Sequence, residues 1–300
     1  MIPMGLERIV SSRRPALLAQ VETIAARLGG TSRSELYRDS TQWVSQLQSA
    51  CRVLGYRTFL LGSAAVLAAE ALGATVDWQR EEILSPPPQG PIEASPTTRW
   101  SAYLASLAHL TADRRHEAVV AVLPGPQRLA ALFGISVGGF PVRVKAALVV
   151  LVEQICQRRP DLLLLDEEDA SGTDDPTYGR LFATLRNVAR HFDVGIGVTA
   201  ATCDAQRINA LAQLRPDALL LGASRDGRLP GVDRAAQCSG SVELIGVGID
   251  LLDAATVRER IGQAGRELAQ GRWCLYAARE LTADVELAPI RELVNELGIA

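Results

Sequence analysis

Short apolar runs separated by longer amphipathic stretches recur along this 300-residue chain. The runs lie at 16–21, 58–61, 118–123, 162–165, 194–199, 218–221, 242–249 and 273–276. Several are apolar at consecutive positions, the pattern of parallel strands covered on both faces. The intervening stretches carry helical periodicity. Residues 141–157 place Val144, Leu148, Leu151, Val152 and Ile155 on one face, and Pro160 stops the run. Asp253 is placed to cap 254–270, with Gly271 just beyond, and 178–192 and 287–297 behave likewise. Eight strands alternating with helices predict a single (β/α)8 barrel over residues 1–300, in preference to an open doubly wound sheet. Residues 83–98 contain Pro86, Pro87 and Pro88 and predict a long loop or hairpin at one end of the barrel. No short-period repeat and no inter-domain linker interrupts the alternation.

Hydrophobic residues make up 48% and charged residues 22%, enough apolar material for a sizeable core. The net charge of −3 argues against a nucleic-acid partner, since there is no basic excess to displace counterions from phosphates. No apolar run approaches the roughly 20 residues of a membrane span. The first residues lack the basic-then-apolar order of a signal peptide. The five cysteines are scattered, with no Cys-x-x-Cys, as expected for free thiols in a reducing compartment. The expectation is a cytoplasmic protein with neither nucleic-acid nor membrane partners. Lys145 is the only lysine, so Schiff-base chemistry would have to use it.

Four stretches, in order, carry a family resemblance. They are SELYRDSTQWVSQLQSACRVLGYRTFLLGSAAVLAAEALGATVDWQ from residue 34, VVAVLPGPQRLAALFG from 119, VELIGVGID from 242 and ARELTADVELAPIRELVNELG from 278. Together they resemble the uroporphyrinogen decarboxylase superfamily, which includes zinc-dependent corrinoid and thiol methyltransferases and, more distantly, cobalamin-independent methionine synthase. The resemblance implies the barrel, a site at the C-terminal ends of its strands, and a homodimer. The chemistry carries over only in part. The family's arginine-rich loop after strand one is here QVETIAARLGG, with only Arg27. Its late Gly-His-Gly turn aligns with Ala278-Arg279-Glu280. Of the methyltransferases' zinc ligands, Cys203 matches the first cysteine, while the histidine becomes Ala201 and the second cysteine becomes Arg279. One thiolate is short of the three protein ligands of catalytic zinc, so neither metal nor cofactor is expected.

Candidate site residues are those that follow predicted strands. Asp166, Glu167, Glu168 and Asp169, then Asp174 and Asp175, follow the fourth. Crowded carboxylates serve acid–base chemistry or bind a hard cation; the alternative is a solvated acidic loop. Asp166 and Glu168 are the leading pair, with Asp250, after strand seven, as a further proton-handling group or merely a turn cap. Arg279 and Arg225 offer planar donor forks for a carboxylate, against the alternative of rim salt bridges. Cys203 is a possible nucleophile, although no histidine stands at a strand end to activate it. Ser63 and Gln20 are polar wall candidates. Pro124-Gly125-Pro126 fixes a turn and can expose helix N–H groups. The leading expectation is a metal-independent decarboxylase-like lyase acting on an anionic small molecule. The alternatives are a methyl or one-carbon transferase of the same superfamily and a non-catalytic binding barrel.

Overall fold

The computed structural model describes residues 4–10, 15–62, 64–87, 90–112, 118–135, 140–168, 175–269 and 271–299. Ser63, Pro88, His116, Asp169 and Asp174 fall outside these ranges. The strands are β1 (Leu17–Leu18), β2 (Thr58–Leu61), β3 (Thr75–Asp77), β4 (Glu82–Ser85), β5 (Ala118–Pro124), β6 (Leu162–Asp166), β7 (Gly195–Ala200), β8 (Ala218–Leu221), β9 (Leu244–Ile249) and β10 (Trp273–Ala277). All but β3 and β4 form one eight-stranded parallel sheet, in the order β1-β10-β9-β8-β7-β6-β5-β2. The sheet curls until its edges, β1 and β2, lie side by side without ladder bonds, giving a nearly closed (β/α)8 barrel. Strands β3 and β4 form a separate antiparallel hairpin, which accounts for the start of the proline-bearing segment.

The predicted strand at 16–21 shrinks to two residues. Beyond Leu18 the chain leaves the ladder and enters the helix Glu22–Leu28. The other strands fall within two residues of expectation, as do Phe140–Cys156, Pro176–His191 and Leu287–Leu297 among the helices. The helix after Asp253 ends earlier than expected, at Glu267.

Side chains alternate across each strand, so the barrel has two cores. Leu18, Leu60, Val120, Val122, Leu162, Leu164, Leu220 and Leu244 fill the lumen. Their outward neighbours, such as Leu17, Leu61, Leu163, Leu165 and Leu219, pack under the helices. Gly246 keeps the lumen passable to large side chains, because a Cβ there would stand 2.5 Å from Leu220 Cγ. The helix Met4–Val10 was not anticipated: at about two turns it is too short for its periodicity to stand out. It plugs the N-terminal end of the barrel, with Leu6 and Ile9 buried against Ala16, Ala118 and Leu162.

The chain repeats Arg-Pro-Asp-x-Leu-Leu-Leu at 159–165 and 215–221. Each arginine takes a left-handed backbone, φ 51° at Arg159 and 52° at Arg215. Each aspartate then grips the start of the preceding strand. Val119 N–H donates to Asp161 Oδ2 at 2.8 Å, and Ile196 N–H donates to Asp217 Oδ2 at 2.9 Å. Both aspartates are buried. Asp161→Ala and Asp217→Ala leave a buried N–H without its acceptor, so each is expected to lower stability by about 1–3 kcal/mol in urea unfolding. A loss below a few tenths would show that the paired aspartates do not secure the strand starts.

Candidate functional site at the barrel mouth

Strand β6 sets up the site. Asp166 continues the inward series of Leu162 and Leu164, so its carboxylate stands at the C-terminal mouth. Thr199, at the end of β7, donates to Asp166 Oδ1 at 3.3 Å, and Glu168 N–H donates to the same oxygen at 3.2 Å. The guanidinium of Arg128 ion-pairs with Asp166 Oδ2. Arg128 comes from the first turn of the helix Pro126–Leu132, which begins at the Pro-Gly-Pro turn after β5. Tyr276, inward on β10, is buried beneath them, and that burial pushes its hydroxyl up from the ordinary value.

These groups line a cavity of about 160 Å³, with Gln20, Glu168, Arg279 and Glu280 around its rim. Glu168 pairs with Arg225 at 3.1 Å, but with side chains 43% and 73% exposed this contact contributes at most about 1 kcal/mol. Glu280 accepts from Arg33 at 2.8 Å and from Thr23 at 2.6 Å. The rim pair Arg279–Glu280 is therefore not formed. Arg279 is exposed and makes no ion pair among the described residues; its Nη2 reaches only the Gly227 carbonyl, at 3.5 Å.

Thus Gln20, Asp166, Glu168 and Arg279 meet at one cavity. Cys203 and Arg225 line an adjoining groove of about 510 Å³ that shares Ala201 with the mouth. Asp250 is in neither: its Oδ1 accepts Leu252 N–H at 3.1 Å and caps the turn after β9. Ser63 lies outside the described residues. Sequence reasoning missed Arg128, Thr199 and Tyr276. Thr199 and Tyr276 each stand an even number of residues after an inward position, but the apolar runs of their strands do not mark which face is inward. Arg128 carried a weaker sign, as the first cation after the Gly-Pro turn.

The zinc of the resembling methyltransferases does not fit these residues. Cys203 Sγ faces the Arg228 carbonyl at 3.3 Å and Ser224 Oγ at 3.5 Å, and Ala201 and Arg279 offer no metal-binding atom. Among the described residues no three His, Cys, Asp or Glu side chains converge as a metal-binding set.

Behind the mouth, Glu167 points outward, opposite to Asp166, and is 1% exposed. Its Oε2 accepts from Gln127 N–H at 2.9 Å and Arg128 N–H at 3.3 Å, and its Oε1 accepts from the Tyr178 hydroxyl at 2.6 Å. Burial nonetheless raises this carboxyl from an ordinary 4.5 to about 7, the hydrogen bonds opposing it only in part.

No protein-family model and no curated protein sequence matches the chain. Solved structures share its fold. A methyltransferase from Methanosarcina mazei aligns with 99% of this chain and 98% of its own at 12% identity, with a TM-score of 0.70. A sugar phosphate isomerase/epimerase from Parabacteroides distasonis aligns over 97% and 98% at 7% identity, TM-score 0.54. A B12-independent methionine synthase from a Shewanella species aligns over 70% of this chain and 67% of its own at 12% identity, TM-score 0.51. At such identities the likeness establishes the (β/α)8 barrel and nothing finer.

The raised Glu167 carboxyl has a pH signature. Between about 4.5 and 7 the folded chain keeps a proton that the unfolded chain has released. The stability this confers is full below 4.5 and is lost as pH rises through 7, about 3 kcal/mol in all. Glu167→Gln has no such proton. Urea unfolding at pH 5 and pH 8 should therefore show wild type losing about 2–3 kcal/mol relative to Glu167→Gln, part of the total having gone by pH 5. Parallel pH profiles would disprove the assignment.

Proposed function

We propose that this chain is a divergent member of the uroporphyrinogen decarboxylase-like superfamily and that its mouth is the reaction site for a small anionic molecule. One observation carries the reading: an exposed guanidinium, Arg279, without an ion pair among the described residues, on the wall of a cavity that also holds an oriented carboxylate. Arg279 holds a substrate carboxylate through its donor fork. Arg128 and Thr199 fix Asp166, which stands over the cavity to take or return a proton.

The favoured chemistry is decarboxylation or a related lyase reaction. Loss of carbon dioxide leaves an electron pair that must take up a proton, and the mouth pairs an anion-holding cation with a proton-handling group. No resident zinc is required, because the matching positions are Ala201 and Arg279. The order of the four sequence stretches supports the superfamily, as does full-length likeness to a structure named a methyltransferase. That same likeness favours a second reading, methyl or one-carbon transfer. Assays for released carbon dioxide from a carboxylate panel, and for demethylation of methylcobalamin with a thiol acceptor, distinguish the two. Binding without turnover in either assay would identify a non-catalytic barrel.

Arg279→Ala should weaken binding of the best-bound carboxylate roughly 10- to 200-fold, the range of one charge-assisted contact. Arg279→Lys should recover only part, since a point charge does not reproduce the fork. Equal affinities for wild type and Arg279→Ala in calorimetry would end the reading. Elemental analysis is expected to show no stoichiometric zinc; about one zinc per chain, lost in Cys203→Ala, would promote the methyl-transfer reading instead.

A further inference from the structure

Asp166 and Glu167 are consecutive, and they reach the same short helix from opposite sides of the barrel wall. Asp166 meets the Arg128 guanidinium in the mouth, while Glu167 meets the Arg128 and Gln127 backbone N–H groups behind it. The fit around Glu167 is close. A Cβ on Gly125 would stand 2.2 Å from the Glu167 carboxyl carbon, so only glycine lets the turn approach. Gly125 N–H also donates to the Asp166 carbonyl at 2.7 Å, and Glu167 N–H donates to the Thr199 carbonyl at 2.9 Å. The turn at 125–128 is thus bound to the end of β6 by side chain and main chain together.

We propose that Glu167 is a positioning residue for the mouth: it places Arg128 on Asp166 by clamping the turn at 125–128, and its protonation state regulates that pair. An ionised carboxylate accepts the two N–H groups and the phenol more strongly than a neutral acid does. Protonation weakens the grip on the helix start, and the Arg128 guanidinium shifts on its carboxylate. Among the described residues the charged and titratable groups around the clamp are few. Asp166 and Glu168 flank it on its own segment, Arg128 faces it from Pro126–Leu132, and Tyr178 faces it from Pro176–His191. Burial raises the Tyr178 phenol well above its ordinary value and the Glu167 carboxyl to about 7. That the pair serves a reaction rests on the proposed function; the clamp itself does not.

The test follows the Arg128 side-chain Nε–Hε resonance in the ¹⁵N-labelled full-length chain, assigned by its loss in Arg128→Lys. In wild type it should titrate with a midpoint of about 7. In Glu167→Gln it should stay flat. Tyr178→Phe removes a hydrogen bond that favours the carboxylate, so the midpoint should move up; this variant keeps the test alive if Glu167→Gln does not fold. A resonance indifferent to pH in wild type, or titrating equally in Glu167→Gln, overturns the clamp, as does an unmoved midpoint in Tyr178→Phe. The substrate reading fails separately. A mouth that binds no carboxylate yet shows the titration defeats that reading alone, and carboxylate binding without the titration defeats the clamp alone.

Discussion

The mouth depends on the two-residue period of one strand. At the end of β6 the pleat sends Asp166 into the lumen and Glu167 into the helix layer. Two adjacent carboxylates therefore occupy different media. The first is 9% exposed, lines the cavity and is paired with a guanidinium. The second is sealed behind the sheet, where backbone N–H groups, a phenol and the nearby Arg128 charge offset part of the loss of water. Slipping the strand by one residue would exchange the two and place leucines on the wrong face throughout β6.

Charge at the rim is divided with the same economy. Arg33 occupies Glu280, Arg225 occupies Glu168 and Arg128 occupies Asp166. Among the described residues Arg279 has no such partner, its contact being a long one to the Gly227 carbonyl. Its planar donor fork stands on the wall of the cavity that Asp166 also lines. Among the described residues the rim thus presents one cation without an ion pair beside a carboxylate that has one. This local cation stands on a chain whose net charge is −3.

Much of this was legible in the sequence, and the parts that were not share a cause. Parallel strands buried on both faces read as continuous apolar runs, which mark a strand's place but hide which side faces the lumen. Strand positions and most helices were therefore readable, whereas the inward phase of Thr199 and Tyr276 was not. Asp166, the first polar residue after four leucines, declared itself. Arg128 did not, because its place in the mouth depends on a helix direction set by Glu167. Asp250 looked equivalent to Asp166 at the end of a strand, but a turn N–H two residues on captured its carboxylate. The plug Met4–Val10 owes its helicity to the barrel floor it seals, and a seven-residue helix has little stability of its own.

The clamp at Glu167 has a counterpart two strands along the barrel. Glu22 is fully buried, accepts Gly62 N–H at 3.0 Å and accepts the Tyr37 hydroxyl at 3.0 Å. It follows β1, and Gly62 follows β2, the two strands that meet without ladder bonds. A buried carboxylate, a backbone N–H at a neighbouring strand's end and a buried tyrosine thus recur at two corners of the mouth. Apolar packing could fill either corner, but it is non-directional and would leave the N–H groups without acceptors. A carboxylate fixes where the loop stands as well as how far it is buried. At the β1–β2 seam that closes the barrel; behind β6 it carries a cation into the lumen. The loops that shape the cavity are held by directional bonds, which is how a barrel with a two-residue first strand keeps its mouth in register.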